Sequence, residues 1–168
     1  MKNMFSYLKE CFFTSSYEYV LMYPKEQLVE RLDHYFNDTK WFYAPVNMTG
    51  RFIDGTDTFK VNAKWSIVFI RGFSSDLAYL KGEIADQTPN QTRLKISTNS
   101  NIIFLLLFLI SIALGFYFIY QGISSGEDES NWVGAFFTLL LFAPLMPVAA
   151  KKSKNNLKER FTKYFHIY

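Results

Sequence analysis

The sequence predicts an α+β membrane protein: amphipathic helices with an antiparallel sheet, then a two-helix transmembrane hairpin and a C-terminal amphipathic helix. Three observations carry this. Residues 102–120 read IIFLLLFLISIALGFYFIY, and residues 132–150 read WVGAFFTLLLFAPLMPVAA, each without a charge. Residues 58–65 alternate polar and apolar, the period of a half-buried strand. The stretch before residue 102 is mixed in composition, so the near-neutral hydropathy of the whole 168-residue chain comes from a polar part and a very apolar part in sequence.

Composition bounds the function classes. An aromatic share of 19% excludes a disordered chain. A single cysteine, Cys11, excludes an intramolecular disulfide framework and a cysteine-built metal site. A net charge of +3 is too small for a strongly electrostatic nucleic-acid binder, so no nucleic-acid partner is expected.

Three parts are expected: a cytoplasmic α+β domain at 1–98, a hairpin at 99–150 and a basic tail at 151–168. In MKNMFSYLKECFF, Met1, Met4, Phe5, Leu8 and Phe12 recur at helical spacing. That helix either packs on the domain or lies on a membrane surface. It lacks the long apolar run of a secretory leader. SYEYVLMY at 16–23 reads as a strand stopped by Pro24, whose missing donor suits the first position of a helix. The helix KEQLVERLDHYFND follows, with Leu28, Val29, Leu32, Tyr35 and Phe36 on one face and His34 beside the solvated face.

Asp54-Gly55 signals a tight turn before the strand that holds Phe59, Val61, Ala63 and Trp65. WSIVFIRGF at 65–73, LAYLKGEIAD at 77–86 and TRLKIST at 92–98 read as further strands, the last two joined by a turn at 88–91. A helix followed by strands implies an antiparallel sheet. Only Asn99, Ser100 and Asn101 separate the last strand from the first span. They are good helix caps and poor spacers, so the domain is expected to sit directly on the bilayer with Arg93 and Lys95 near the headgroups.

A helix of nineteen residues covers roughly 28 Å, close to the hydrocarbon thickness of a bilayer. The 102–120 run has no polar face, unlike a buried core helix. The 132–150 run contains Pro144 and Pro147; it reads as a second span with a kink or early unwinding near Pro144, with a re-entrant or interfacial segment as the alternative. The loop between carries Glu127, Asp128 and Glu129, whereas the tail carries Lys151, Lys152, Lys154, Lys158, Arg160 and Lys163. Basic residues at span ends stay inside, so both termini are expected in the cytoplasm. The sequons at Asn37, Asn47 and Asn90 then have no glycosylation role. Ser111 and Gly115 form a small-xxx-small pair for helix packing, either within the hairpin or between copies.

In the tail, Leu157, Phe161, Tyr164, Phe165 and Tyr168 recur at helical spacing among the basic residues. Membrane-surface contact through Lys151, Lys152, Lys154, Lys158, Arg160, Phe161, Lys163 and Phe165 is expected, with anionic headgroups as the partner. A plain orientation signal, or docking of the aromatic face on the protein's own sheet, are the alternatives.

GRFIDGTDTFKVNAKWSIVFIRGF, then LAYLKGEIADQTPNQTRLKISTNSN, then the apolar span, resembles a group of small bacterial membrane proteins with an N-terminal cytoplasmic α+β domain and a two-helix transmembrane hairpin. The resemblance covers roughly residues 50–120. It implies an architecture and an inner-membrane location, and no activity.

Chemistry is sparse. The sequence has no phosphate-binding glycine loop, no nucleophile elbow and no zincin motif, and its two histidines, His34 and His166, are far apart. Cys11, beside Phe12 and Phe13, reads as a buried or membrane-facing thiol, not a reactive nucleophile. No catalytic residue, cofactor or metal ligand is expected. The spans hold no ionisable group, which argues against ion-coupled transport. The expected function is therefore a non-enzymatic membrane protein presenting a cytoplasmic binding or scaffold domain at the inner leaflet. The alternatives are an apolar-ligand or lipid binder, with Phe52, Phe59, Trp65, Phe69, Phe73 and Tyr79 lining a pocket, or an accessory subunit of a larger complex or homo-oligomer.

Overall fold

The computed structural model describes residues 3–37, 48–53, 55, 57–63, 78–125 and 129–167. Its elements are α1 (Met4–Phe12), β1 (Ser15–Leu21), α2 (Lys25–Asn37), β2 (Met48–Phe52), β3 (Thr58–Ala63), β4 (Ala78–Thr88), β5 (Gln91–Ser100), α3 (Ile102–Ser125) and α4 (Glu129–Phe136). A π-helical turn (Phe137–Phe142) and α5 (Ala143–Tyr164) complete the chain. The strand expected at 65–73 lies outside the described residues. The chain divides into two compact units that do not follow the linear division. Met1–Phe12 groups with Asn101–Lys152, and Phe13–Ser100 groups with Ser153–Tyr168.

The first unit is the helical hairpin. Asn101 caps α3 by accepting the Ile103 backbone N–H on Oδ1 at 2.9 Å. α3 and the helix from Glu129 onward are both long and apolar enough to cross a membrane. Most of their large apolar side chains stay uncovered by protein; Phe116 is 63% exposed and Ile123 69%. The helices meet through glycines. The Leu139 side chain fills the space where Gly115 would carry a Cβ, and a Cβ at Gly122 would stand 3.0 Å from Trp132. Gly134 gives the same room to the Phe118 ring.

Near Pro144, where a kink or early unwinding is expected, the helix widens into the π turn. The Ala143 N–H bonds back to the Thr138 carbonyl, five residues away. Pro144 and Pro147 supply no N–H, and a π turn just before them seats the rings while the helix continues. Thr138 Oγ1 also donates to the Gly134 carbonyl at 2.9 Å. α1 belongs to this unit, not to the sheet. Its Cys11 is fully buried, the Phe12 ring lies 5.5 Å from that of Phe108, and Glu10 pairs with Lys151 at 3.3 Å.

The second unit is one five-stranded antiparallel sheet, ordered β1-β5-β4-β3-β2. Period-two alternation puts Leu80, Ile84, Leu94, Ile96, Phe59 and Val61 on one face, all buried. α2 and the end of α5 cover that face. Leu28, Leu32 and Tyr35 come from α2; Leu157 and Phe161 come from α5, and Phe165 from the turn just after it. Two glycines make room for rings. Gly82, opposite Phe59 in register, lies under its ring, and Gly50 lies under Phe36. β2 was not expected from the sequence; it closes the sheet through Met48↔Ala63 and Phe52↔Phe59 pairing. Gly55, at φ 61°, turns the chain between β2 and β3, as the Asp-Gly pair foretold.

The tail is corrected by this core. Phe161 is fully buried and stacks on Phe59 at 5.6 Å, and Phe165 meets Tyr35 edge-on at 5.5 Å. Neither is available to a membrane surface. The aromatic face of a basic amphipathic helix suits lipid or sheet equally, and here the sheet takes it. His166, at φ 52°, ends the helix, and the Ile167 N–H returns to the Thr162 carbonyl at 2.9 Å, tucking Ile167 into the core.

Candidate functional site

With one sheet face covered, the other is open. It carries Ser16, Glu18 and Val20 from β1, and Arg93, Lys95, Ser97 and Asn99 from β5. β4 adds Tyr79, Lys81, Glu83 and Ala85, β3 adds Thr58, Lys60 and Asn62, and β2 adds Thr49 and Arg51. The cations Arg51, Lys60, Lys81, Arg93 and Lys95 outnumber the carboxylates Glu18 and Glu83.

The charges are unevenly matched. Arg93 reaches Glu18 at 3.9 Å, Lys95 reaches Glu83 at 4.0 Å, and Lys81 reaches Glu83 at 3.4 Å. At these exposures each pair is worth little. At the β2–β3 side the register sets Arg51 opposite Lys60 and Lys60 opposite Lys81. Neighbouring strands are about 4.8 Å apart, so three like charges form one row, an arrangement that opposes strand pairing. Neither Arg51 nor Lys60 makes an ion pair among the described residues. Lys60 Nζ lies 4.6 Å above the Tyr79 ring, a modest cation–π attraction. A hollow of about 350 Å³ lined by Thr49, Gly50, Arg51, Lys60 and Asn62 opens at this row. Asn62 Oδ1 is shielded from solvent and has no hydrogen-bond partner among the described residues.

A second hollow, about 540 Å³, lies along α2 and includes Lys25, Glu26, Glu30, Asp33, Phe52 and Asp86. Lys25 is committed there to Asp57 at 2.7 Å and Asp86 at 3.7 Å. The bond to Asp57 holds its ammonium above the usual lysine range. Among the described residues no group of His, Cys, Asp and Glu is arranged to hold a metal ion.

The sequence-predicted residues disperse. Arg93 and Lys95 lie on the open face. Lys154, expected at the membrane surface, is 2% exposed and donates to the Phe13 carbonyl and, at 3.0 Å, to Ser15 Oγ. Lys158 sits over the Tyr17 ring at 4.3 Å, and Lys151 over that of Tyr7 at 5.0 Å. Lys152, Arg160 and Lys163 remain exposed. Gly115 packs on Leu139 of the same chain, whereas Ser111 bonds only its own helix, donating to the Leu107 carbonyl at 2.8 Å. Of the residues expected to line an apolar pocket, Phe52, Phe59 and Tyr79 are among the described residues. Phe59 and Tyr79 point to opposite faces, and Trp65, Phe69 and Phe73 lie outside the described residues. Arg51, Lys60 and Lys81 were not singled out by sequence; alternation marks each as outward-facing, but only the register aligns them.

Fold and site together define an α+β sheet domain with one basic open face, joined in sequence to a helical hairpin apolar enough to cross a membrane. Set against known protein families, curated proteins and solved structures, the chain matches none.

Proposed function

We propose that this chain is a non-enzymatic integral membrane protein whose sheet domain is a binding module held at the inner leaflet. The observation that carries the reading is the division of the sheet. One face is filled by α2 and α5, while the other, among the described residues, sets five cations against two carboxylates and leaves Arg51 and Lys60 without an ion pair. A folded surface with unmatched like charges in register is built at a cost to stability, and a bound anion offsets that cost. The two long apolar helices support membrane anchoring, and their uncovered side chains suit lipid. The acidic 127–129 loop against Lys151 and Lys152 supports both termini facing the cytoplasm. Exposed Lys152, Arg160 and Lys163 remain candidates for anionic headgroups.

Purification of the tagged full chain in native lipid, beside a Lys60→Glu/Lys81→Glu variant, tests this. The reading expects a co-purifying component that is retained by the native chain and lost with the variant. Identical retention by both rules out the open face as the binding surface.

A further inference from the structure

We infer that the β2–β3 hollow on the open face, with Lys81 of β4 beside it, is a site for a phosphomonoester group on a small soluble ligand. This deepens the binding-module reading and rests on it. The observations are local to the sheet. Arg51, Lys60 and Lys81 stand in one register row, and the hollow beside them also presents Thr49 and Asn62.

The chemistry separates the possible anions. A carboxylate or a lipid phosphodiester brings a single negative charge to a row of three cations. A phosphomonoester carries about 1.5 to 2 negative charges at neutral pH and three acceptor oxygens, which matches an arginine fork with two ammonium groups far better. Asn62, whose Oδ1 has no hydrogen-bond donor among the described residues, lines the hollow and leaves an acceptor for a hydroxyl on the ligand. The volume of about 350 Å³ falls at the small end of ligand sites. The neighbouring carboxylate, Glu83, is occupied by Lys81 and Lys95 and lies two residues along β4 from Lys81.

The test uses the full chain in neutral phosphatidylcholine nanodiscs at constant ionic strength. Inorganic phosphate and glycerol 3-phosphate are titrated by calorimetry, with glycerophosphoglycerol as the soluble diester headgroup. Both monoanion–dianion probes bind, the diester binds about tenfold more weakly or worse, and affinity rises as pH passes the second phosphate ionisation near 6. Arg51→Gln and Lys60→Gln each weaken phosphate binding about tenfold or more, while Lys95→Gln, on the same face but off the row, changes it less than about twofold. Circular dichroism of each variant confirms an intact sheet, and a double Thr49→Ala/Asn62→Ala variant gives a second, uncharged route to the same loss.

Equal losses from Lys95→Gln identify a diffuse field and overturn the site. Diester binding as tight as phosphate, or competition by phosphatidylglycerol in the disc, assigns the face to lipid headgroups and overturns the soluble ligand. No heat with phosphate raised to about 10 mM, tenfold above a Kd of about 1 mM, removes the ligand class altogether. If phosphate fails while the Lys60→Glu/Lys81→Glu variant still loses its co-purifying component, the binding module stands and only this ligand falls.

Discussion

Replacing Phe161 by alanine separates the two fates of the tail. In the structure Phe161 is fully buried, stacked on Phe59 and in contact with Phe165 at 4.8 Å. Truncating a buried phenylalanine costs about 3–5 kcal/mol, from lost transfer energy plus the cavity left behind. The ring cannot be replaced by its neighbours, because the Phe59 ring is itself held over Gly82. A domain of this size is stable by about 5–15 kcal/mol, so the change removes roughly a fifth or more. At about 1.4 kcal/mol per decade, the slowest amides of β4 and β5 exchange with solvent at least about 100-fold faster. Hydrogen exchange of the full chain in neutral nanodiscs reads this directly, with exposed Lys163→Ala as the control expected to change little. Had the tail lain on lipid, Phe161→Ala would leave the sheet amides untouched. Unchanged exchange at Leu80, Ile84, Leu94 and Ile96 therefore refutes the docking of the tail.

Three further outcomes follow from the same contacts. Gly82→Ala places a methyl group inside the Phe59 ring, which is backed by Phe161; the expected loss of about 1–3 kcal/mol lowers the urea midpoint, and an unchanged midpoint contradicts the packing. Burial, with Tyr164 nearby, pushes the Tyr35 phenol up to about 12, while an unfolded tyrosine ionises near 10. The native state therefore retains a proton that the unfolded state gives up. Stability is level below pH 10 and falls by about 1.4 kcal/mol per unit between pH 10 and 12. Tyr35→Phe reduces that slope, leaving the contributions of Tyr7, Tyr19 and Tyr23, which burial also raises, and of Lys25, raised by Asp57, and sacrifices the 3.0 Å bond to the Met48 carbonyl. In the hairpin, Gly115→Leu collides with Leu139 and lowers the thermal midpoint in mild detergent, whereas Ser111→Ala, which loses only an intrahelical bond, leaves it nearly unchanged.

Much of the fold is legible in the sequence because it is periodic. α2 shows its apolar stripe, β3 its alternation, and α3 its unbroken apolar run. β2 is hidden because it is five residues long and contains Gly50, whose core-facing side is filled by Phe36 from elsewhere in the chain. The tail's pattern is visible but ambiguous, since apolar residues at helical spacing ringed by lysine fit a headgroup layer or a sheet alike. Lys154 shows the limit most plainly. Nothing local marks it as buried, and only the distant Phe13 carbonyl and Ser15 hydroxyl give it partners. The π turn lies directly before Ala143 and Pro144, and no apolar period in the sequence marks it. The candidate site is less legible still, because a row of cations across three strands exists only once the register is fixed.

The account depends most on both long apolar helices crossing a bilayer with their outer ends on one side. With Cys11 replaced by alanine, single cysteines at Ser124 and Lys163 are probed with a membrane-impermeant maleimide on intact bacteria and on lysed ones. The account predicts labelling of Ser124→Cys on intact cells and of Lys163→Cys only after lysis. Labelling of Lys163→Cys on intact cells, or recovery of the chain in the soluble fraction without detergent, contradicts it.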